Sequence, residues 1–176
     1  MHDDLRRARA AALPAESGIA SWFTGADLAD SFAITLPSSA TRDVLALSRF
    51  LLGDPAPWFT VLLGLRDGIV RLFGIKTRQQ IREAPRVENE DRIDFFRIRS
   101  VSGTEVIVGD DDKHLDFRAS ILLRRRDAES SDELLMTTAV HCHNLPGRTY
   151  LAVILPFHRL IVRSMLNRAA RRGWPS

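Results

Sequence analysis

The stretch RTYLAVILPFHRLIVRSMLNRAARR, residues 148–172, has helical periodicity. Leu151, Ile154, Leu155, Ile161, Val162 and Met165 fall on one stripe of a helical wheel, and Arg148, Arg159 and Arg163 take the opposite edge. At roughly 1.5 Å per residue, such a helix is long enough to cross a four- or five-stranded sheet, which must cover its apolar flank. His158 lies inside the stripe, so an imidazole is aimed at the core. Pro156 has no N–H and frees the carbonyl of Ala152, which can mark a pocket beside the ring. A core histidine bonded to backbone is the plainer alternative, because buried polar groups nearly always find partners. Tyr150, the only tyrosine, can reach the same volume.

Upstream, Asn144, Pro146 and Gly147 end a strand predicted over 134–143, and another is predicted over 114–124. Alternation puts His114, Asp116, Arg118 and Ser120 on one side, with Leu115, Phe117, Ala119, Ile121 and Leu123 on the other. The next strand sorts likewise, Thr137, Ala139, His141 and His143 against Met136, Thr138, Val140 and Cys142. Pairing Arg124 with Glu133 sets Asp116 opposite His141, His114 opposite His143 and Ser120 opposite Thr137. Folding the preceding strand back in the same way brings Glu105 to Arg118. A carboxylate facing an imidazole can orient its tautomer for general-base work. The same pattern is also an ordinary charge ladder on a solvated sheet face. His141, His143 and His114 make a conceivable zinc set, but no short paired-ligand spacing supports it and no metal is expected. Asp110, Asp111 and Asp112 occupy a predicted tight turn, where solvation is the simplest expectation.

In the first half of the chain, Phe32, Ile34 and Leu36 alternate with Ser31, Ala33 and Thr35 as a half-buried strand. Val44, Leu47 and Leu51 recur at helical spacing behind a cap at Ser39 or Thr41, and Gly53 and Pro55 stop the helix. A second helix is predicted over 57–73, with Phe59, Leu62, Leu63, Ile69, Val70 and Phe73 on its stripe and Gly64 and Gly68 inside it. Residues 75–92 read as a connecting loop, and Ser102-Gly103 as a two-residue hairpin turn between strands at 94–101 and 104–109. The order is strand, two helices, antiparallel meander, closing helix. The expected class is therefore α+β, a curved antiparallel sheet wrapped around a long C-terminal helix. Residues 1–25 read as a polar, partly flexible leader to a single domain over 26–172.

Composition agrees with that plan. The chain has 176 residues, 45% hydrophobic and 27% charged, which suits one compact domain and excludes a collagen-like or disulfide-stapled chain. The lone thiol, Cys142, fits a reducing cytoplasm, and no apolar run for export follows Arg6, Arg7 and Arg9. The apolar tract over 150–162 is broken by Pro156, His158 and Arg159, so stable membrane insertion is not expected. Charge is segregated: residues 83–133 carry 14 acids against 9 bases, whereas 148–172 carry six arginines and no acid. Without aromatic interleaving for base stacking, a solvated helix face explains the basic end better than nucleic acid or membrane. No Gly-x-Ser-x-Gly elbow is present, and Cys142 lies on an apolar strand face, where its pKa should rise.

Four motifs together resemble a known bacterial family. They are Ala26-Asp27-Leu28-Ala29-Asp30-Ser31-Phe32, Trp58-Phe59 with Leu63-Gly64-Leu65-Arg66-Asp67, His114-Leu115-Asp116-Phe117-Arg118, and Pro156-Phe157-His158-Arg159-Leu160-Ile161-Val162. Over residues 26–171 the chain is similar to domain-of-unknown-function family 2867. That resemblance implies a START-like (SRPBCC) helix-grip fold, often with an apolar cavity under the helix. Some members are fused behind a nucleotide-binding reductase domain. This sequence has no glycine-rich phosphate fingerprint, so no cofactor is expected. START-like proteins include lipid carriers, hormone receptors, cyclases and thioesterase-like enzymes, and the scaffold does not choose among them.

The expected function is a cytoplasmic, non-catalytic binder of a small apolar or amphipathic molecule between sheet and helix. His158, Tyr150, His114, Asp116, Arg118 and His141 are its candidate ligand-binding residues. A homodimer is compatible with this reading, and no catalytic residue is assigned. The alternatives are a cyclase- or hydrolase-type enzyme using His/Asp proton transfer, and an interaction scaffold with a filled cavity.

Overall fold

A computed structural model describes residues 7–53, 91–94, 96–125 and 131–176. The helix predicted over 57–73 and most of the loop predicted over 75–92 fall outside the described residues. Within them the elements are β1 (Arg9–Ala10), β2 (Leu28–Thr35), α1 (Val44–Leu52), β3 (Arg92–Ile93), β4 (Phe96–Val101), β5 (Glu105–Asp111), β6 (Leu115–Arg124), β7 (Glu133–Cys142) and α2 (Leu145–Arg172). A short 3-10 turn spans Ala20–Phe23. The strands form one curved antiparallel sheet in the order β1-β2-β7-β6-β5-β4-β3, with α2 as the long closing helix.

The β6–β7 register is the one the sequence implies: Asp116 faces His141, Ser120 faces Thr137 and Arg124 faces Glu133. The His143 N–H donates to the His114 carbonyl at 2.9 Å, extending that alignment past the strand ends. Two expectations on β5 are corrected. Glu105 lies opposite Leu122, and Arg118 lies opposite Gly109, so Glu105 and Arg118 do not meet. The cause is the turn, which closes tightly when the Asp112 N–H donates to the Leu115 carbonyl at 3.1 Å. Asp110 and Asp111 therefore belong to the strand rather than the turn, which keeps Asp112, although their side chains remain exposed to solvent. Arg118 and Arg99 neutralise Asp111 at 2.6 and 2.8 Å. The β4–β5 turn keeps two residues but sits one position later than expected: Val101 pairs with Val106 and the Ser102 N–H donates to the Glu105 carbonyl at 2.8 Å, which leaves Gly103-Thr104 at the tip.

One sheet face carries Phe32, Ile34, Val106, Val108, Ala119, Ile121, Leu123, Leu134 and Met136, all buried. These pack with Val44, Leu47, Leu51 and Leu52 of α1 and with Val162, Leu166 and Ala169 of α2 in one cluster. Asp43, not Ser39 or Thr41, caps α1: its carboxylate accepts the N–H groups of Leu45 and Ala46 at 2.9 and 3.1 Å. Asn144 caps α2 in the same way, accepting the Gly147 N–H at 3.1 Å. A Cβ on Gly147 would come within 2.2 Å of the His114 carbonyl, so only glycine lets the helix start this close to the β5–β6 turn.

The opposite face is not a free charge ladder. Ser120 and Thr137 are fully buried. The N-terminal chain crosses this face after pairing as β1 with β2. Glu105 holds it there: the carboxylate accepts from Ser17 Oγ at 2.5 Å, from the Gly18 N–H at 2.8 Å and from Ser120 Oγ. Ser31 and Thr137 share a hydroxyl bond at 2.8 Å, and Arg124 reaches Glu16 at 2.6 Å. Backbone hydrogen bonding first, and then Arg124, holds the Glu16 carboxyl below the usual carboxylate range.

Candidate functional site

Alternation along β2 places Leu28, Asp30 and Phe32 on the helix side of the sheet. Leu28 joins Val140, Cys142 and Leu151 in one apolar cluster, with Leu115, Phe117 and Leu155 against it. Phe32 belongs instead to the main core with Val162. Between these clusters stands a polar pair. His158 on α2 donates from Nε2 to Asp30 Oδ1 at 3.0 Å, which fixes the orientation of the ring. Both side chains are largely enclosed, at 18% and 13% exposure. Asp30 Oδ2 is buried and has no hydrogen-bond partner among the described residues. Arg159 Nε stands 3.7 Å from it, within ion-pair range but beyond a hydrogen bond. Thr138, also buried, is directly opposite Asp30 on β7. Asp30, Thr138 and His158 are thus polar groups converging in apolar surroundings, the usual chemistry of a small-molecule site.

His158 therefore faces the sheet as its wheel position implies, but its partner is a carboxylate. Ala152 and Pro156 are exposed, so the carbonyl freed by the proline is on the solvent side of α2 and does not mark the imidazole.

The remaining candidates lie elsewhere. Asp116, His141 and His143 line an open cleft of about 560 Å³ with Ser21, Trp22 and Arg148. There Asp116 Oδ2 accepts from His143 Nε2 at 3.0 Å, and His141 Nε2 donates to the Trp22 carbonyl at 2.9 Å. The Trp22 ring stands edge-on to His141, and the Arg118 guanidinium lies 4.1 Å from its centroid. Asp27 accepts the Cys142 N–H at 2.7 Å and faces Arg148 at 3.4 Å. His114 sits at the cleft's margin, its Nδ1 on the Asn144 side-chain oxygen at 3.1 Å, and its buried Nε2 has no partner among the described residues. Tyr150 is half-buried in the second turn of α2. The six candidates thus divide between two sides of the sheet. No group of three or more His, Cys, Asp or Glu side chains suited to a metal occurs among the described residues.

Burial pushes the Cys142 thiol up, Asp27 adds to the effect, and Arg148 opposes it. Alkylation by iodoacetamide should accordingly be slow at neutral pH, with a rate midpoint above that of a free cysteine. A rate at pH 7 equal to that of free cysteine would contradict this environment.

A curved antiparallel sheet closed by one long helix, with a polar pair set between two apolar clusters, defines an α+β domain of helix-grip arrangement. The chain belongs to the family described as "Protein of unknown function (DUF2867)", whose model matches residues 22–165. No curated protein and no solved structure matches the chain.

Proposed function

We propose that this protein is a non-catalytic binding module of START-like lineage, holding a small amphipathic molecule between the sheet and α2. The carrying observation is the buried Asp30 Oδ2, which has no hydrogen-bond partner among the described residues, only Arg159 at 3.7 Å, and stands beside His158 in apolar surroundings. A buried acceptor left unpaired costs roughly 1–3 kcal/mol, and a ligand that donates a hydrogen bond removes that cost. The ligand class is therefore an apolar body with a hydroxyl or amino head. The lone thiol of Cys142 suits a reducing, cytoplasmic setting.

Native mass spectrometry of gently purified protein tests this. A small molecule should accompany the wild type and be lost from His158→Ala and Asp30→Asn, while circular dichroism stays native. Equal occupancy in the three proteins, or no bound mass and no thermal shift with amphipathic alcohols and amines, would overturn the reading.

A second reading rests on the Asp116–His143 pair. The Asp116 carboxylate holds His143 through Nε2 at 3.0 Å in the open cleft, the kind of oriented imidazole that hydrolase- or cyclase-type chemistry uses. Turnover of an ester or polyketide-like substrate that His143→Ala abolishes would favour it over binding alone.

A further inference from the structure

The outward side of α2 bears a second apolar row. Val153, Phe157 and Leu160 recur at i, i+4 and i+7 and are 44%, 36% and 58% exposed. The opposite side is spent on the sheet and α1 through Leu151, Val162, Leu166 and Ala169. An 18-residue window of α2 reaches a mean hydropathy of 1.2, yet only 17% of it is buried. A contiguous exposed apolar row marks an interaction surface.

Charge identifies what covers it. Residues 148–172 contain six arginines and no acid. On the wheel Arg163 lies beside the row and Arg171 continues it two turns beyond Ser164, while Arg159 is turned toward the buried side. Arg163 and Arg171 are exposed and form no ion pair among the described residues, and Arg159 keeps 60% exposure beside Asp30. An apolar row edged by one sign of charge matches a layered surface, negative above and greasy below, which is an anionic bilayer. Spanning is excluded by the buried side of the same helix, which is anchored in the core at Leu166.

We propose that the outer side of α2 docks the domain peripherally on anionic lipid, with Val153, Phe157 and Leu160 entering the headgroup boundary and Arg163 and Arg171 meeting the phosphates. This goes beyond the binding reading, and its groups are separate from Asp30 and His158.

The test is co-sedimentation of the full chain with vesicles of phosphatidylcholine alone and of phosphatidylcholine mixed with phosphatidylglycerol. Binding should require phosphatidylglycerol and weaken as salt rises. Replacing both Arg163 and Arg171 with Gln should lower the partition about thirtyfold, at roughly 1 kcal/mol for each arginine near such a surface. Phe157→Ser with Leu160→Ser should also lower it without moving the unfolding midpoint. His158→Ala, which tests the binding reading, should leave vesicle binding unchanged. Absent binding, or equal binding to both vesicle types, overturns the proposal. So does a dimer in sedimentation velocity that Leu160→Ser disperses, since the row would then be covered by a second copy.

Discussion

Glu105→Ala should destabilise the domain by about 3 kcal/mol and release the N-terminal chain from the sheet. Glu105 is the buried acceptor on which Ser17, Gly18 and Ser120 converge. Alanine leaves three donors where water reaches poorly, and each buried donor without a partner costs roughly 1–3 kcal/mol. The full sum is not reached, because the Ser17–Gly18 segment can swing outward and hydrate, leaving Ser120 as the main orphan. Ser17 Oγ and Ser120 Oγ are 3.3 Å apart and can partly satisfy each other. Glu105→Gln keeps the volume and one acceptor oxygen, so about half the loss is expected. Urea unfolding measures the stability change, and hydrogen exchange at Ile19 and Trp22 measures release. Loss of stability without faster exchange at those amides would mean that Glu105 supports the sheet but not the crossing chain. A change below about 0.5 kcal/mol would show that the carboxylate holds neither, since that is the scale of ordinary surface substitutions.

The crossing chain shows where sequence reading stops. Residues 7–25 carry no sustained period, so nothing local separates a loose leader from a segment held by one distant carboxylate. Glu105 gives no signal either, since a glutamate at a strand start usually faces water. By contrast, the β6–β7 pairing was legible to the residue, because closing the loop at Arg124 and Glu133 sets the register and period-two alternation on both strands then buries Ile121, Leu123, Leu134 and Met136 together. The same rule fell short on β5. There the triple aspartate resembles a turn, and only Arg99 and Arg118, arriving from neighbouring strands, make Asp111 affordable inside the ladder. Their pairing also holds the Asp111 carboxyl below its usual range, Arg118 contributing most.

At the candidate site, the position of His158 was legible from its wheel and its partner was not. The signal for Asp30 was available: extending the Phe32, Ile34, Leu36 face back by one step of two lands on an acid. Starting the strand at Ser31 hid it, because strand ends are the least certain part of any such reading. Trp22 and Asp27 of the cleft lie outside any periodic segment. They reach the β6–β7 end only through tertiary contacts with His141 and the Cys142 N–H.

Leu166→Ala should cost about 3 to 4 kcal/mol, within the range of leucine truncations in packed cores. Leu166 is fully enclosed where α2 meets α1 and the helix-facing side of the sheet. Its methyls have no solvent to retreat to, and α1 is fixed by its own Leu47 and Leu51, so collapse around the void is limited. Leu151, in the smaller cluster nearer the start of α2, retains 9% exposure and should cost about 2 kcal/mol by the same rule. Phe157→Ala removes a larger side chain but should change stability by less than about 0.5 kcal/mol, because the ring is on the outward row. Denaturant unfolding with unchanged slopes separates the three. The reverse ranking, Phe157 above Leu166, would mean that the helix presents its other side to the sheet. The Asp30–His158 pair would then be turned away from the apolar clusters, and the exposed row of Val153, Phe157 and Leu160 would be the core.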